Sequence, residues 1–151
     1  MIEKVTREER EQELLQKAKI LYIAGNTNEI QDIAFLLERR FFSAGIVSTV
    51  IDNELIKQGL CKDCIDPTEI FRRSIEIAKL YVNSGIIAIS YGSIDLISTI
   101  NNHVENTDLI VITSDSNCTS EENYIILELD KSSLQEVVHS LYKKLASSIS
   151  Q

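Results

Sequence analysis

K-I-L-Y-I-A-G-N-T-N-E-I-Q-D-I-A-F-L-L-E-R-R-F-F-S-A, residues 19–44, is the stretch on which the fold turns. Residues 19–24 form a short, almost wholly apolar run that stops at Gly25, the pattern of a strand buried on both faces followed by a turn. From residue 28 the period changes. Ile30, Ile33, Ala34, Leu37 and Phe41 recur at intervals of three and four, which predicts a helix over 28–44 with Gly45 as its stop. Strand, polar turn and amphipathic helix thus stand in immediate succession.

The same alternation runs through the rest of the chain. Apolar runs at 47–51, 86–90, 109–113 and 124–129 predict four more strands. Between them lie a short helix over 53–59, a long one ending near residue 83, a weaker one over 93–102, and a last one capped by Ser132 or Ser133 and ending near 147. Asp66-Pro67-Thr68-Glu69 places a capping Asp, a first-turn Pro and a third-position Glu at the start of the long helix. Ahead of the first strand, Thr6-Arg7-Glu8-Glu9 is a capping box that opens a charged helix reaching about residue 17. Because the strands are Ile- and Val-rich runs and not alternating patterns, they belong to a parallel sheet with helices on both faces. The expected class is α/β: a doubly wound parallel sheet of about five strands in three layers, with residues 1–18 as a leader helix and 19–151 as one domain.

Composition narrows the partners. The 151 residues carry 15 Lys plus Arg against 23 Asp plus Glu, a formal charge of −8. Such a surface repels phosphate backbones, so neither nucleic acid nor an anionic membrane is expected as a partner. No apolar run approaches the roughly 20 residues of a spanning helix, and the charged start M-I-E-K-V-T-R-E-E-R does not read as a signal peptide. A cytoplasmic location is expected. Cys61, Cys64 and Cys118 are an odd count, against a disulfide framework. Cys61 and Cys64 have C-x-x-C spacing, but no paired motif supplies the further ligands that zinc requires, so no metal is expected.

Ligands of such sheets sit at the C-terminal ends of the strands. The loops to watch are 25–29, 52–55, 90–95 and 114–123. A working phosphate-binding loop reads G-x-x-x-x-G-K-S/T: its glycines let backbone N–H groups curl around phosphate, its Lys neutralises charge and its hydroxyl holds magnesium. Here the loop reads Gly25-Asn26-Thr27-Asn28-Glu29-Ile30-Gln31-Asp32. One Gly is kept, no cation is present, and Glu29 and Asp32 add negative charge. The candidate ligand-binding residues in it are Gly25, Asn26, Thr27 and Asn28; the alternative is an ordinary polar turn and helix cap. Asp52, Glu54 and Lys57 form a second candidate cluster, in which two carboxylates at a strand end suit a metal or a hydroxyl; the alternative is a helix cap with a solvated surface. The pairs Arg39-Arg40 and Arg72-Arg73 read as solvated faces or surface ion pairs, and His103 and His139 have no recognisable partner.

Several segments taken in order resemble the adenylyl-sulfate (APS) kinase family. Val5–Glu11 resembles the leader before that family's first strand, Lys19–Gly25 its first strand and loop opening, and Leu37–Phe41 the end of the following helix. Ile51-Asp52-Asn53-Glu54-Leu55-Ile56-Lys57-Gln58-Gly59-Leu60 resembles L-D-G-D-N-V-R-x-G-L. Residues 71–80, followed by Gly85-Ile86-Ile87, resemble I-R-R-V-x-E-V-A-K-L and a downstream G-L-I. The resemblance implies a P-loop-kinase-like sheet with strand order 2-3-1-4-5, a homodimer, APS or its 3′-phosphorylated form as ligand, and ATP sulfurylase as a protein partner. It also marks departures. Ile30 falls where the family has its loop Lys, and Gln31 where it has Ser. Asp52 matches the first Asp of D-G-D-N, Glu54 replaces the second, and Leu55 replaces the Asn. Lys57 replaces an Arg that contacts APS. The D-R-x-x-N stretch is missing, with Ile70 where its Asn falls; residues 90–95 replace I-S-P-x-R; and residues 114–121 are a brief polar turn where the family has a basic lid. The expectation is a catalytically inactive APS-kinase-like domain, a regulatory, nucleotide-sensing or interaction module of sulfate activation, with no cofactor. The alternative is an active or weakly active APS kinase, using ATP and magnesium, with Asp52 as its catalytic residue.

Overall fold

The strand Ile20–Ala24 (β1) is the centre of a five-stranded sheet, and each of its side chains is at most 1% exposed. The computed structural model describes residues 1–115, 123–127, 129 and 133–150. Around β1 stand Ser48–Val50 (β2), Ile87–Gly92 (β3), Leu109–Thr113 (β4) and Tyr124–Ile126 (β5), all parallel, in the order β2-β3-β1-β4-β5. This is the expected order and fold class. Ile20 pairs with Ala88 on one side and Leu109 on the other, and the register runs to Ala24 opposite Gly92 and Thr113.

Strand side chains point alternately to two cores. Leu21, Ile23, Ile87, Ile89, Ile110 and Ile112 pack under the helices Glu29–Ser43 (α2) and Leu134–Ile149 (α6). Ile20, Tyr22, Ala88, Leu109 and Val111 pack on the other face, under Pro67–Asn83 (α4) and Ile97–His103 (α5). The remaining helices are Arg7–Leu14 (α1) and Asn53–Gln58 (α3). Both long helices that lead back into the sheet from its N-terminal side end in left-handed glycines. After α4, Gly85 at φ +82° donates to Val82 O, and Ile86 N donates to Tyr81 O. α2 closes in the same way through Gly45 and Ile46.

Several boundaries move from their sequence-based positions. The first helix stops at Leu14, three residues early, because Leu15 turns left-handed at φ 56° and Gln16 is drawn into the interior. At 2% exposure, Gln16 donates through Nε2 to Val47 O (2.8 Å) and Gly85 O (2.9 Å) and accepts from Val47 N (2.9 Å). One amide thus holds together α1, the entrance to β2 and the turn into β3. β3 runs on to Gly92, beyond the expected residue 90, because its last residues still pair with β1. The helix expected over 93–102 divides into a 3-10 turn, Ile94–Leu96, and α5. Ser133 is the cap of α6, its hydroxyl accepting from Glu136 N at 3.3 Å. Ser132, the other candidate cap, lies outside the described residues, as do Cys118 and most of the expected turn at 114–121.

Arg73 and Glu69 fasten the turn between α3 and α4. Glu69 accepts from Arg72 at 2.9 and 2.6 Å and from Arg73 at 3.2 Å, while Arg73 also donates to Leu60 O and to Asp63. The Arg72 hydrogen bonds, reinforced by Arg73, hold the Glu69 carboxyl at about 2, against an ordinary 4.5.

Two outcomes follow from these contacts. Gln16→Ala takes this partner from the buried Gly85 carbonyl and from the part-buried N–H and carbonyl of Val47 and should cost about 2 kcal/mol in urea unfolding; a loss under about 0.5 kcal/mol would show that water replaces the amide. Glu69 has a folded-state value below its unfolded one, so its contribution is present above pH 4.5 and is lost as pH falls towards 2. Glu69→Gln should therefore lower stability at neutral pH and flatten the acid limb of a stability–pH curve between those values.

Candidate functional site

Three loops meet at the C-terminal end of β3. Gly25 N donates to Gly92 O at 3.0 Å, which fixes the start of the 25–28 loop. Asn53 Nδ2 donates to Tyr91 O at 3.3 Å, which fixes the turn into α3. Tyr22, fully buried on β1, donates its hydroxyl to Ser93 O at 2.7 Å, and Ser93 Oγ makes a long bond of 3.5 Å to Asn26 Oδ1. The hydroxyl of Tyr22 passes so close over Gly92 that a Cβ there would lie 2.7 Å from it. Burial pushes the Tyr22 phenol well above its ordinary range. Burial also raises Tyr91, which lies within reach of the Asp52 and Glu54 charges.

The first candidate loop is exposed from Asn26 to Glu29 and closed underneath. The Ile30 side chain, 8% exposed, folds back beneath Gly25: a Cβ built on Gly25 would stand 2.6 Å from Ile30 Cγ2. A side chain at position 25 would therefore have no room without a shift of Ile30. Asn28 adopts helical angles (φ −69°, ψ −13°) and makes no capping bond, so the cap reading of Asn28 does not hold. Its side chain does not reach back to the first-turn N–H groups from that conformation.

At the second cluster the structure favours the cap. Asp52 Oδ1 accepts from Glu54 N at 2.9 Å and begins α3. Lys57 Nζ lies 3.7 Å from Glu54 Oε1, with both side chains more than half exposed, an ion pair of little energetic weight. Asp52, Glu54 and Lys57 are therefore together, and Gly25–Asn28 are joined to them through the end of β3. Among the described residues no group of three or more His, Cys, Asp or Glu side chains converges on a metal position. Cys61 is buried, Cys64 half-buried, and both are free thiols. The histidines do have partners: Arg40 donates to His139 Nδ1 at 3.0 Å, and His103 Nδ1 donates to Thr99 O at 2.8 Å. No helix among the described residues is long and apolar enough to cross a membrane.

Asn53, Tyr91 and Ser93 fall in the loops singled out at 52–55 and 90–95 without being named there, and Tyr22 is the residue at this junction that sequence reasoning missed. The one available signal was a Tyr inside an otherwise aliphatic run, Ile20–Ala24, since a buried phenol needs an acceptor.

No protein-family model matches the chain. Among curated proteins, it is 33% identical over 92 residues to the adenylyl-sulfate kinase of Clostridium acetobutylicum, covering 58% of this chain and 46% of that one. It is 30% identical over 91 residues to the adenylyl-sulfate kinase of Yersinia pestis, covering 57% and 43%. The matched stretch thus spans somewhat under half the length of these relatives. Among solved structures, a mutant APS kinase of Mycobacterium tuberculosis superposes with a TM-score of 0.71 at 20% identity, covering 85% of this chain and 98% of that one. A hexameric APS kinase from Thiobacillus denitrificans gives 0.71 at 15% identity, covering 88% and 29%.

The Gly25–Ile30 contact is open to a double-mutant cycle. Gly25→Ala forces a methyl into Ile30 and should destabilise by about 1–3 kcal/mol. Ile30→Ala removes a buried side chain and should cost about 2–5 kcal/mol. The double variant should be at least about 1 kcal/mol more stable than the sum of the two predicts, since the second change makes room for the first. Strict additivity in urea unfolding would show that the loop does not close on Ile30.

Proposed function

We propose, for a chain that belongs to the adenylyl-sulfate kinase family, a role without phosphoryl transfer: a catalytically silent APS-kinase-like domain that acts as a regulatory, sensing or interaction module of sulfate activation. The observation that carries this reading is Ile30. It occupies the position at which the resemblance sets the loop Lys, and its side chain fills the space under Gly25. Phosphoryl transfer is catalysed almost wholly by positioning and electrostatic stabilisation. A charge-assisted hydrogen bond contributes roughly 1.5–3 kcal/mol, so exchanging the Lys for a buried Ile beside Glu29 and Asp32 weakens a triphosphate by about two orders of magnitude or more. The residues of this loop do not fit magnesium–ATP: they offer no cation, no hydroxyl at the metal-holding position, and an apolar methyl where phosphate is to be cradled.

The second cluster supports a narrower role. Lys57 is exposed and only loosely held by Glu54, so it is free to meet an anionic ligand such as APS or its 3′-phosphorylated form. In that version the domain senses a sulfonucleotide. ATP sulfurylase is the protein partner proposed for the interaction version; that step rests on analogy with the family.

Calorimetry and a kinase assay on the purified chain separate these readings. The expected result is no heat with magnesium–ATP and no phosphorylated APS above a no-enzyme blank. Product that disappears in Asp52→Asn would establish the alternative, a weakly active APS kinase, and overturn the silent reading. Heat with APS or its 3′-phosphorylated form that weakens in Lys57→Ala would identify the sensor.

A further inference from the structure

Two free thiols stand together in the turn between α3 and α4. Cys61 N donates to Ile56 O at 2.8 Å and closes the end of α3, and Cys64 N donates to Cys61 O at 3.0 Å. The second bond makes residues 61–64 a hydrogen-bonded turn, whose first and fourth Cα atoms stand within about 7 Å. A disulfide spans a Cα separation of roughly 4.4–6.8 Å. The backbone of this turn thus sets Cys61 and Cys64 at about the distance that a bridge requires.

The turn is held in this shape from α4. Arg73 donates to Leu60 O at 3.1 Å and to Asp63 Oδ1 at 3.0 Å, so one guanidinium grips the residue before each cysteine. The two thiols differ in access: Cys61 is 2% exposed and Cys64 is half-buried. No helix begins at either of them, since α4 starts only at Pro67. Burial raises the Cys64 thiol, the Arg73 guanidinium opposes that rise, and Cys61, Asp63 and Glu69 add to it. At neutral pH Cys64 is therefore mostly protonated and reacts through a minor thiolate fraction. A metal does not suit the pair, because among the described residues no third His, Cys, Asp or Glu converges on it.

We propose that Cys61 and Cys64 are a redox-modification site, a dithiol that closes reversibly to a disulfide with a low-molecular-mass disulfide as its oxidant. Exposure fixes the order of events. The Cys64 thiolate attacks one sulfur of the oxidant, the S–S bond of the oxidant breaks, and one thiol leaves with the proton that Cys64 gave up. Cys61 then loses its proton and attacks the Cys64 sulfur, the mixed disulfide breaks, and the second thiol leaves with that proton. Two protein thiols are oxidised and one small disulfide is reduced to two thiols. The bridge ties the turn directly behind α3, the helix that Asp52 caps and that carries Glu54 and Lys57. The inference stands apart from the reading of the nucleotide loop, since it invokes no nucleotide.

Oxidation of the whole folded chain tests it. In excess oxidised glutathione the Cys118→Ser variant, which lacks the chain's third thiol, should lose both remaining thiols and carry no glutathione. Its mass should fall by two hydrogens, and a reductant should restore both thiols. Lys62 stands between the two cysteines, so trypsin should release residues 58–62 and 63–72 still joined by the bridge. The same joined peptides are expected from oxidised wild type, which reads the pair even if the variant does not fold. Adding Cys61→Ala should leave one glutathione trapped on Cys64. Adding Cys64→Ala instead should slow modification of Cys61 by about tenfold or more, since its thiol is buried. Two thiols that persist in the folded chain overturn the proposal. So do a bridge from either residue to Cys118, a mixed disulfide that stays on Cys64 while Cys61 is present, or a Cys61 that reacts as fast without Cys64.

Discussion

Everything in this structure hangs on β1, five consecutive residues that bond to strands on both edges and are covered by helices on both faces. A strand buried in this way admits no polar side chain without a partner. The single exception, Tyr22, carries its hydroxyl out to Ser93 at the C-terminal edge of the sheet. Burial of the strand therefore reaches the loops directly: Tyr22 fixes the turn after β3, that turn meets Asn26, and Gly25 closes onto Gly92. The edge at which the fold offers a ligand site is thus braced from within by the core.

This bracing bears on what the site can hold. A phosphate-binding loop works because backbone N–H groups point inward at an empty, electropositive space. In this chain Gly25 uses its N–H within the sheet, Ile30 fills the space beneath it, and the nearest charges, Glu29 and Asp32, are negative. Each of these features alone disfavours an anion, and together they set an apolar contact beside negative charge. The contact is part of the core, because Ile30 belongs to the same cluster as Leu21, Ile33 and Leu37. Placing a cation at this position would therefore mean removing a core side chain.

The fold was legible in the sequence because its determinants are local and periodic. Apolar runs marked the strands, three- and four-residue spacing with Gly45 marked α2, and Asp66-Pro67-Thr68-Glu69 marked the start of α4. What was not legible depends on contacts distant in sequence. The first helix stops early because Gln16 bonds to Val47 and Gly85, 31 and 69 residues away, and β3 extends to Gly92 because β1 is there to pair with it. The site divided in the same way. The composition of the 25–32 loop shows that it holds no cation, but only the three-dimensional arrangement shows that Ile30 turns inward and that Asp52 serves α3 as a cap. Asn53, Tyr91 and Ser93 were legible only as members of the loops at 52–55 and 90–95, since their role is to offer a side-chain amide, a carbonyl and a hydroxyl at a junction of three loops.

α2 ties these threads to one element. Its first turn supplies the Ile30 plug, and its inner face supplies Ile33, Leu37 and Phe41 to the core. A helix constrained on its inner face has little freedom to rotate or shift, because close-packed interiors respond to displacement in discrete steps. The contact under Gly25 and the packing that holds α2 in place thus have the same origin: the apolar side chain of Ile30, which joins the start of α2 to the core.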